Sequence, residues 1–351
     1  HFGSSLFSRR QAQFCSGYPK PSAQRPRASM SKWLEENIEP GLRAMYKVEK
    51  TLGSTVSKFQ SVDLVDLECF GRSLVIDGLL QSCRVDEFVY HECLVHPAML
   101  LHPNPKSVYI GGGGEGSTAR EVLRHKSVER CVMVDIDEDV VRFCREHLEE
   151  NHAAFADGRL ELVIDDAKAW LERSDSKFDV IIMDLDDPLE GGPCYQLYTT
   201  EFYAMLKTKM NPGATLVTQS GQSGIKAHHL VFSPINRTLR SVFSNVVAYN
   251  QAVYSFLDEW GWNLALTEEG APAPASLSEE EVDRRIAERV EGELQFLDGV
   301  SWRGIWALSK RHRKTLAAET TVMSTSGNTH CFMHNAGVTT IGAEAKAQAQ
   351  Q

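Results

Sequence analysis

Carboxylates recur where an α/β chain would place its chemistry. From Ser107 the chain reads Ser-Val-Tyr-Ile and then Gly-Gly-Gly-Gly-Glu-Gly, a strand running into a glycine loop. After a helical stretch, Cys131-Val-Met-Val-Asp-Ile-Asp supplies a second strand ending in acid. This layout suits an adenosine-type ligand laid across the ends of parallel strands. Gly112 and Gly114 let backbone approach the ligand, and Asp135 is placed to accept hydrogen bonds from ribose hydroxyls. Glu115, inside the loop, decides which ligand. A dinucleotide would set its pyrophosphate there, and a carboxylate repels a diphosphate strongly in a partly desolvated cleft. The guest at this loop is therefore expected to carry positive charge.

Later strand ends repeat the theme. Asp165 and Asp166 follow the third strand, where an Asp equally serves as a helix cap. Asp184-Leu-Asp-Asp-Pro-Leu-Glu190 follows the fourth, four acids in seven residues before a Gly-Gly-Pro kink and more than capping can use. A bound polycation relieves the mutual repulsion of such a cluster. An alkylammonium has a pKa of about 10, so an amine nucleophile must shed a proton, and a neighbouring carboxylate can take it as the bond forms. Asp184 is the candidate base and Asp187 the candidate to hold the cation. Tyr90 and Tyr249 are candidates to orient the nucleophile, although a single tyrosine is more often a core aromatic with a satisfied hydroxyl. Two other chemistries are set aside. His91 and His96 are five residues apart, about 140° around a helix, where a zinc pair needs four, so no metal site is expected. Gln219-Ser-Gly-Gln-Ser-Gly lacks the flanking glycine of a nucleophile elbow.

The elements that position these residues follow from hydrophobic patterning. Residues 33–89 read as a short helix followed by a small antiparallel β subdomain with a tight turn at Asp77-Gly78. From residue 90 to 322 strands and helices alternate, and unalternating apolar runs such as Val180-Ile-Ile-Met indicate strands buried on both faces. The fold class expected is α/β, a doubly wound, methyltransferase-like Rossmann sheet. A late helix is signalled by Ser278 with Glu281 three residues on, and by Val282, Ile286 and Val290 on one face. Residues 1–32 form an acid-free, basic, Pro-containing segment read as a disordered tail, with a targeting segment as the alternative. Residues 323–351 are Ser-, Thr-, Gly-, Ala- and Gln-rich and are read as a second tail.

Composition narrows the partners. The chain has 351 residues, 42% hydrophobic, enough for a substantial core. Its net charge of −10, with 47 acidic against 37 basic residues, disfavours nucleic acid and favours small cations. No apolar run approaches the roughly 18 residues a membrane span requires. Eight cysteines without a Cys-x-x-Cys pair suggest buried, reduced thiols and a cytoplasmic compartment.

These motifs resemble the polyamine aminopropyltransferases, the spermidine and spermine synthase family, from about Trp33 to Thr321. The matching stretches are Leu74-Val-Ile-Asp-Gly-Leu-Leu-Gln81, Asp86-Glu-Phe-Val-Tyr-His-Glu92, Gly112-Gly-Gly-Glu-Gly116, Asp135-Ile-Asp-Glu138, Asp165-Asp-Ala167 and Asp184-Leu-Asp-Asp-Pro188. The run Glu190-Gly-Gly-Pro-Cys-Tyr-Gln-Leu-Tyr-Thr199 is similar to the plant-type thermospermine synthases within that family. The resemblance implies decarboxylated S-adenosylmethionine as co-substrate donor, no separate cofactor, a polyamine acceptor, and a homodimer or homotetramer. On the donor side it implies Glu115 for the aminopropyl ammonium, Asp135 for ribose and Asp166 for the adenine amino group, with Gln60, Gly112, Gly114, Asp165 and Ala167 completing that side. Asp187, Gln81 and His91 would place the acceptor, and Tyr90 and Tyr249 would assist Asp184.

Departures from the family pattern carry their own expectations. Gly111 replaces an aliphatic residue and is expected to loosen its strand end. His91 stands where Gln is frequent and is expected to alter acceptor choice. Asp186 adds a charge, and Ala167 replaces a glycine with little effect. The rival reactions on this fold are methyl transfer from intact S-adenosylmethionine and dinucleotide-dependent reduction. Both are disfavoured by Glu115. A non-catalytic polyamine binder is disfavoured by Asp184 and Asp187.

Overall fold

The computed structural model describes residues 32–39, 41–188, 193–268, 273–326, 329–333 and 337–341. Of the tail expected over residues 1–32, all but Lys32 lies outside them, as do Glu190 with its two glycines and residues 269–272. Five antiparallel strands open the described chain: β1 (Lys32–Glu39), β2 (Leu42–Val56), β3 (Ser61–Leu67), β4 (Gly71–Ile76) and β5 (Leu79–Cys83). Asp77 and Gly78 both have positive φ and join β4 to β5 with Ile76 opposite Leu79, the two-residue geometry that matches strand twist. The helix expected near Trp33 is instead strand β1, paired residue by residue with β2. Its few apolar residues alternate poorly, and the ladder to a long neighbour outweighs so weak a local preference.

The second region begins with α1 (Glu87–Leu101), a helix that patterning does not signal because it is buried nearly all round and shows no amphipathic stripe. The subdomain boundary therefore falls before residue 87 and not at 89. There follow β6 (Ser107–Gly112), α2 (Ser117–Leu123), β7 (Arg130–Asp135), α3 (Glu138–His147), α4 (His152–Phe155), β8 (Leu160–Ile164), α5 (Ala167–Arg173) and β9 (Phe178–Asp184). The chain continues through α6 (Thr200–Thr208), β10 (Met210–Gln222), α7 (Phe232–Arg240), β11 (Asn245–Val253), β12 (Asp258–Leu266), α8 (Glu279–Arg289), α9 (Gly299–Ile305) and α10 (Lys310–Ala318). Strands β13 (Thr329–Met333) and β14 (Gly337–Ile341) pair as a hairpin inside the stretch read as a patternless tail.

The large sheet has the order β11-β12-β10-β9-β6-β7-β8, parallel from β10 to β8, with β12 antiparallel to both its neighbours. Alternation along β9 explains why it reads as uniformly apolar. Val180 and Ile182 pack with Leu94 of α1, Val122 of α2 and Trp302 of α9, while Ile181 and Met183 pack with Leu171 of α5, Phe202 of α6 and Ile235 of α7. Each such aliphatic side chain contributes roughly 1.5–3 kcal/mol on burial. The small sheet is held to the large domain by Val62, Leu64 and Leu74 against Val140 and Phe143 of α3. Successive strands run outward in opposite directions from the β6–β9 pair, which is where a doubly wound sheet leaves a crevice. Among the described residues no helix is long and apolar enough to cross a membrane.

Candidate active site

That crevice is a cavity of about 460 Å³ lying between the carboxyl ends of the parallel strands and the small sheet. Gly112 has φ +82, and a Cβ there would overlap the Asp184 carbonyl oxygen, so only glycine lets β6 end against β9. The Gly113 amide donates to the same carbonyl at 3.1 Å. Gly114 donates to Asp135 Oδ2 at 2.9 Å while Asp137 N donates to Oδ1 at 2.8 Å, which fixes the Asp135 carboxylate at the tip of β7. Gly111 is not a loose end: it is buried and paired on both sides, and the Met183 side chain fills the space an aliphatic residue would take.

Of the residues singled out in the sequence, Gln60, Gln81, Tyr90, His91, Gly112, Gly114, Glu115, Asp135, Asp166, Ala167, Asp184 and Asp187 all line this cavity. Asp166 performs both roles considered for it, capping α5 through Ala169 N at 2.8 Å while facing the cavity. Two others do not belong. Asp165 points away to an ion pair with Arg173 and accepts from Asp166 N. Tyr249 is fully buried, donates its hydroxyl to the Cys93 carbonyl at 2.8 Å, and packs its ring against Trp262 and Trp306. Its strand β11 is at the far edge of the sheet, which turns the tyrosine into the helix layer and not toward the strand ends.

Asp184 is held from both sides. Tyr90 donates to Oδ1 at 2.8 Å and Thr118 to Oδ2 at 2.6 Å. Gln219 clamps the loop that follows: its Nε2 donates to the Leu185 carbonyl at 2.6 Å and to Tyr198 Oη at 2.8 Å, and lies 3.3 Å from Asp187 Oδ1. Its Oε1 accepts from Gly221 N and Trp260 Nε1. Gln219, Phe256, Trp260 and Glu36 line the cavity and were not singled out as site residues. Gln219 follows directly on Thr218, the last residue of β10 paired with β9, and that place just past an apolar run is the one signal that could have raised it. Phe256, Trp260 and Glu36 arrive from elements with no strand-end signature.

The electrostatics are those of an acidic pocket awaiting cations. Burial pushes Asp135 up to about 6, against its two backbone donors, and pushes Asp187 up to about 6, against the Gln219 amide. Burial likewise raises Glu115, opposed first by the charge of His91 and by hydrogen bonds from Ser117 and Ser82. Burial works against a charged His91, yet the hydrogen bond and charge of Glu87, followed by Glu115 and Asp184, lift it to about 9. Among the described residues, no three His, Cys, Asp or Glu side chains are grouped to hold a metal ion. His96, the other histidine of α1, bonds to Glu121 and His125 on the far side of the helix.

Residues 87–275 match the Spermine/spermidine synthase domain, and residues 32–84 match the Spermidine synthase tetramerisation domain. The chain is 48% identical to the thermospermine synthase ACAULIS5 of Arabidopsis thaliana over 87% of its own length and 88% of the relative's. It is 42% identical to a polyamine aminopropyltransferase of Aeropyrum pernix, covering 82% of this chain and 91% of that one. A crystal structure of spermidine synthase from Thermotoga maritima superposes with a TM-score of 0.74 at 27% identity, covering 84% of this chain and 97% of that one. A spermidine synthase solved in complex with the transition-state analogue AdoDATO superposes with a TM-score of 0.73 at the same identity, over 84% and 97%. A glycine loop carrying an acid, a pinned carboxylate opposite it and this similarity along nearly the whole described chain lead to one conclusion: the chain belongs to the spermine/spermidine synthase family and is an aminopropyltransferase.

Proposed function

We propose that the protein transfers the aminopropyl group of decarboxylated S-adenosylmethionine to spermidine, giving thermospermine and methylthioadenosine. The observation that carries the chemistry is Asp184, a carboxylate pinned by Tyr90 and Thr118 inside a cavity that Glu115 and Asp187 also line. The donor's adenosine lies along the glycine loop, with Asp135 at its ribose and Asp166 and Ala167 at its base. Its ammonium meets Glu115. Spermidine enters past Gln81 and Asp187, its methylenes against Phe256 and Trp260.

In the reaction a nitrogen lone pair of spermidine attacks the aminopropyl carbon bonded to the sulfonium sulfur. The C–N bond forms as the C–S bond breaks, the electron pair of the broken bond settles on sulfur to give a neutral thioether, and the proton shed by the new ammonium passes to Asp184. The sulfonium supplies its own leaving group, so the protein's contribution is positioning and proton removal, and no resident cofactor is needed. The family match to a tetramerisation domain over 32–84, and the exposed Trp33, Leu42 and Met45 within it, support a homo-oligomer joined through the small sheet.

Thermospermine and spermine differ only in which end of spermidine is alkylated. Thermospermine is favoured by the 48% identity to a thermospermine synthase and by the run Gly192-Pro-Cys-Tyr-Gln-Leu-Tyr198. Chromatographic separation of the products from spermidine and from putrescine tests this. Thermospermine from spermidine is the expected result. Spermine, or spermidine made from putrescine, as the main product would overturn the acceptor assignment, and no alkylated amine from either would overturn the reaction.

A further inference from the structure

Behind the wall that carries Glu115 and His91 runs a branched network of hydrogen bonds whose hub, Arg120 on α2, does not line the cavity. Its guanidinium donates through Nη2 to both oxygens of Glu87, at 2.9 and 2.8 Å, and through Nη1 to Asn151 Oδ1 at 2.9 Å. Nε is occupied by Glu121 at 3.0 Å. Each of the first two contacts leads to the cavity along a different arm.

On one arm, accepting from Arg120 forces the Asn151 amide to present its nitrogen to the glycine loop. There Nδ2 donates to the Glu115 carbonyl at 3.0 Å and to Ser117 Oγ at 2.9 Å. Ser117 in turn donates to Glu115 Oε1 at 2.5 Å. Asn151 is fully buried, so this orientation is enforced by its partners and not by solvent. On the other arm, Glu87 Oε2 is 2.7 Å from His91 Nδ1, which also lies 2.8 Å from the Glu87 carbonyl. With Nδ1 turned to these two acceptors, the remaining edge of the imidazole is left for the cavity that His91 lines. Glu87, Asn151 and Arg120 therefore set the positions of two groups they surround without themselves facing the guest.

We propose that Arg120 is a positioning residue of the donor site: by bridging Asn151 to Glu87 it fixes the Glu115 carboxylate and the His91 ring at the place that receives the donor's ammonium. This rests on the reading above that Glu115 meets that ammonium. A lysine keeps the charge but cannot span Asn151, Glu87 and Glu121 at once, because those contacts use the spread of a planar fork. The substitution should therefore be felt by a ligand that carries the ammonium and ignored by one that lacks it.

The test compares calorimetric affinities of decarboxylated S-adenosylmethionine and methylthioadenosine, which share the adenosine but not the aminopropyl cation. In Arg120→Gln the decarboxylated donor should weaken about tenfold or more, with methylthioadenosine within about twofold of wild type, since charge-assisted contacts are lost on one part of the ligand only. Arg120→Lys, which keeps the buried charge and spares the fold, should weaken the donor by a smaller factor in the same selective way. Retained methylthioadenosine binding reports that the variants are folded. An equal loss of both ligands, or donor affinity unchanged in both variants, would overturn the inference. Failure of the wild-type protein to prefer the decarboxylated donor over methylthioadenosine would instead overturn the role of Glu115 itself.

Discussion

At the Asp135 end of the cavity the polar walls come from short pieces of chain that each follow a parallel strand: Gly112–Glu115 after β6, Asp135 at the end of β7, Asp166 and Ala167 after β8. At the Glu36 end they come from four separate segments: Glu36 on β1, Leu79–Gln81 on β5, the Asp184–Asp187 loop, and Phe256 with Trp260 around the β11–β12 turn. The first end is drawn mainly from one sheet's own strand ends, with Gln60 of the small subdomain added through its hydrogen bond to Asp137. The second exists only because a separate subdomain closes over the sheet, so its shape can be altered from several places without disturbing adenosine binding. On the function proposed above, donor identity would belong to the first construction and acceptor register to the second.

Asp184 stands where the two meet, and its loss should be the most damaging change. Asp184→Asn keeps the shape between Tyr90 and Thr118 but cannot take a proton, so turnover should fall by about 10² or more while donor affinity stays near wild type. Steady-state and single-turnover rates of product formation measure this. Turnover near that of wild type would remove Asp184 as the base.

A smaller effect separates the two ends by pH. Burial holds Asp135 and Asp187 at about 6, above the usual carboxylate range, so each favours folding at low pH and gives up that contribution as pH rises through about 6. A cation bound beside Asp187 prefers that carboxylate ionised, whereas Asp135, assigned to an uncharged ribose, can bond to its hydroxyls in either protonation state. Affinity for spermidine should therefore climb as pH rises through about 6 and then level, whereas binding of uncharged methylthioadenosine should change far less. Equal pH dependence for both ligands would contradict the assignment of Asp187 to the acceptor.

The smallest effect is expected outside the cavity. Tyr249→Phe removes one buried hydrogen bond to the Cys93 carbonyl and should lower stability by about 1 kcal/mol with little change in turnover. Thermal unfolding and initial rates check both parts. A large fall in turnover at unchanged stability would return Tyr249 to the site.

These contrasts also explain what could be read before folding. Strand-end reasoning reached Asp135, Asp166, Asp184 and Glu115, because in a doubly wound sheet chain position after an apolar run nearly determines spatial position. It could not separate Asp165 from Asp166, since neighbouring residues at a strand end point in opposite directions and only the pairing with Arg173 shows which faces out. Tyr249 failed because its strand β11 joins the sheet only through antiparallel pairing with β12, at the edge, which nothing local in the sequence shows. Glu36, Phe256 and Trp260 were illegible because nothing local marks a residue brought in by packing between subdomains. Helix α1 escaped because burial on all sides erases the amphipathic stripe that periodicity detects.

The most direct test is of the charge expected at the glycine loop. Calorimetric titration with decarboxylated and with intact S-adenosylmethionine should show the decarboxylated form bound at least about tenfold more tightly, because the extra carboxylate of the intact form would face Glu115. Glu115→Gln should shrink that preference. Equal affinity for the two donors, or preference for the intact one, would contradict a cavity built for two cationic guests.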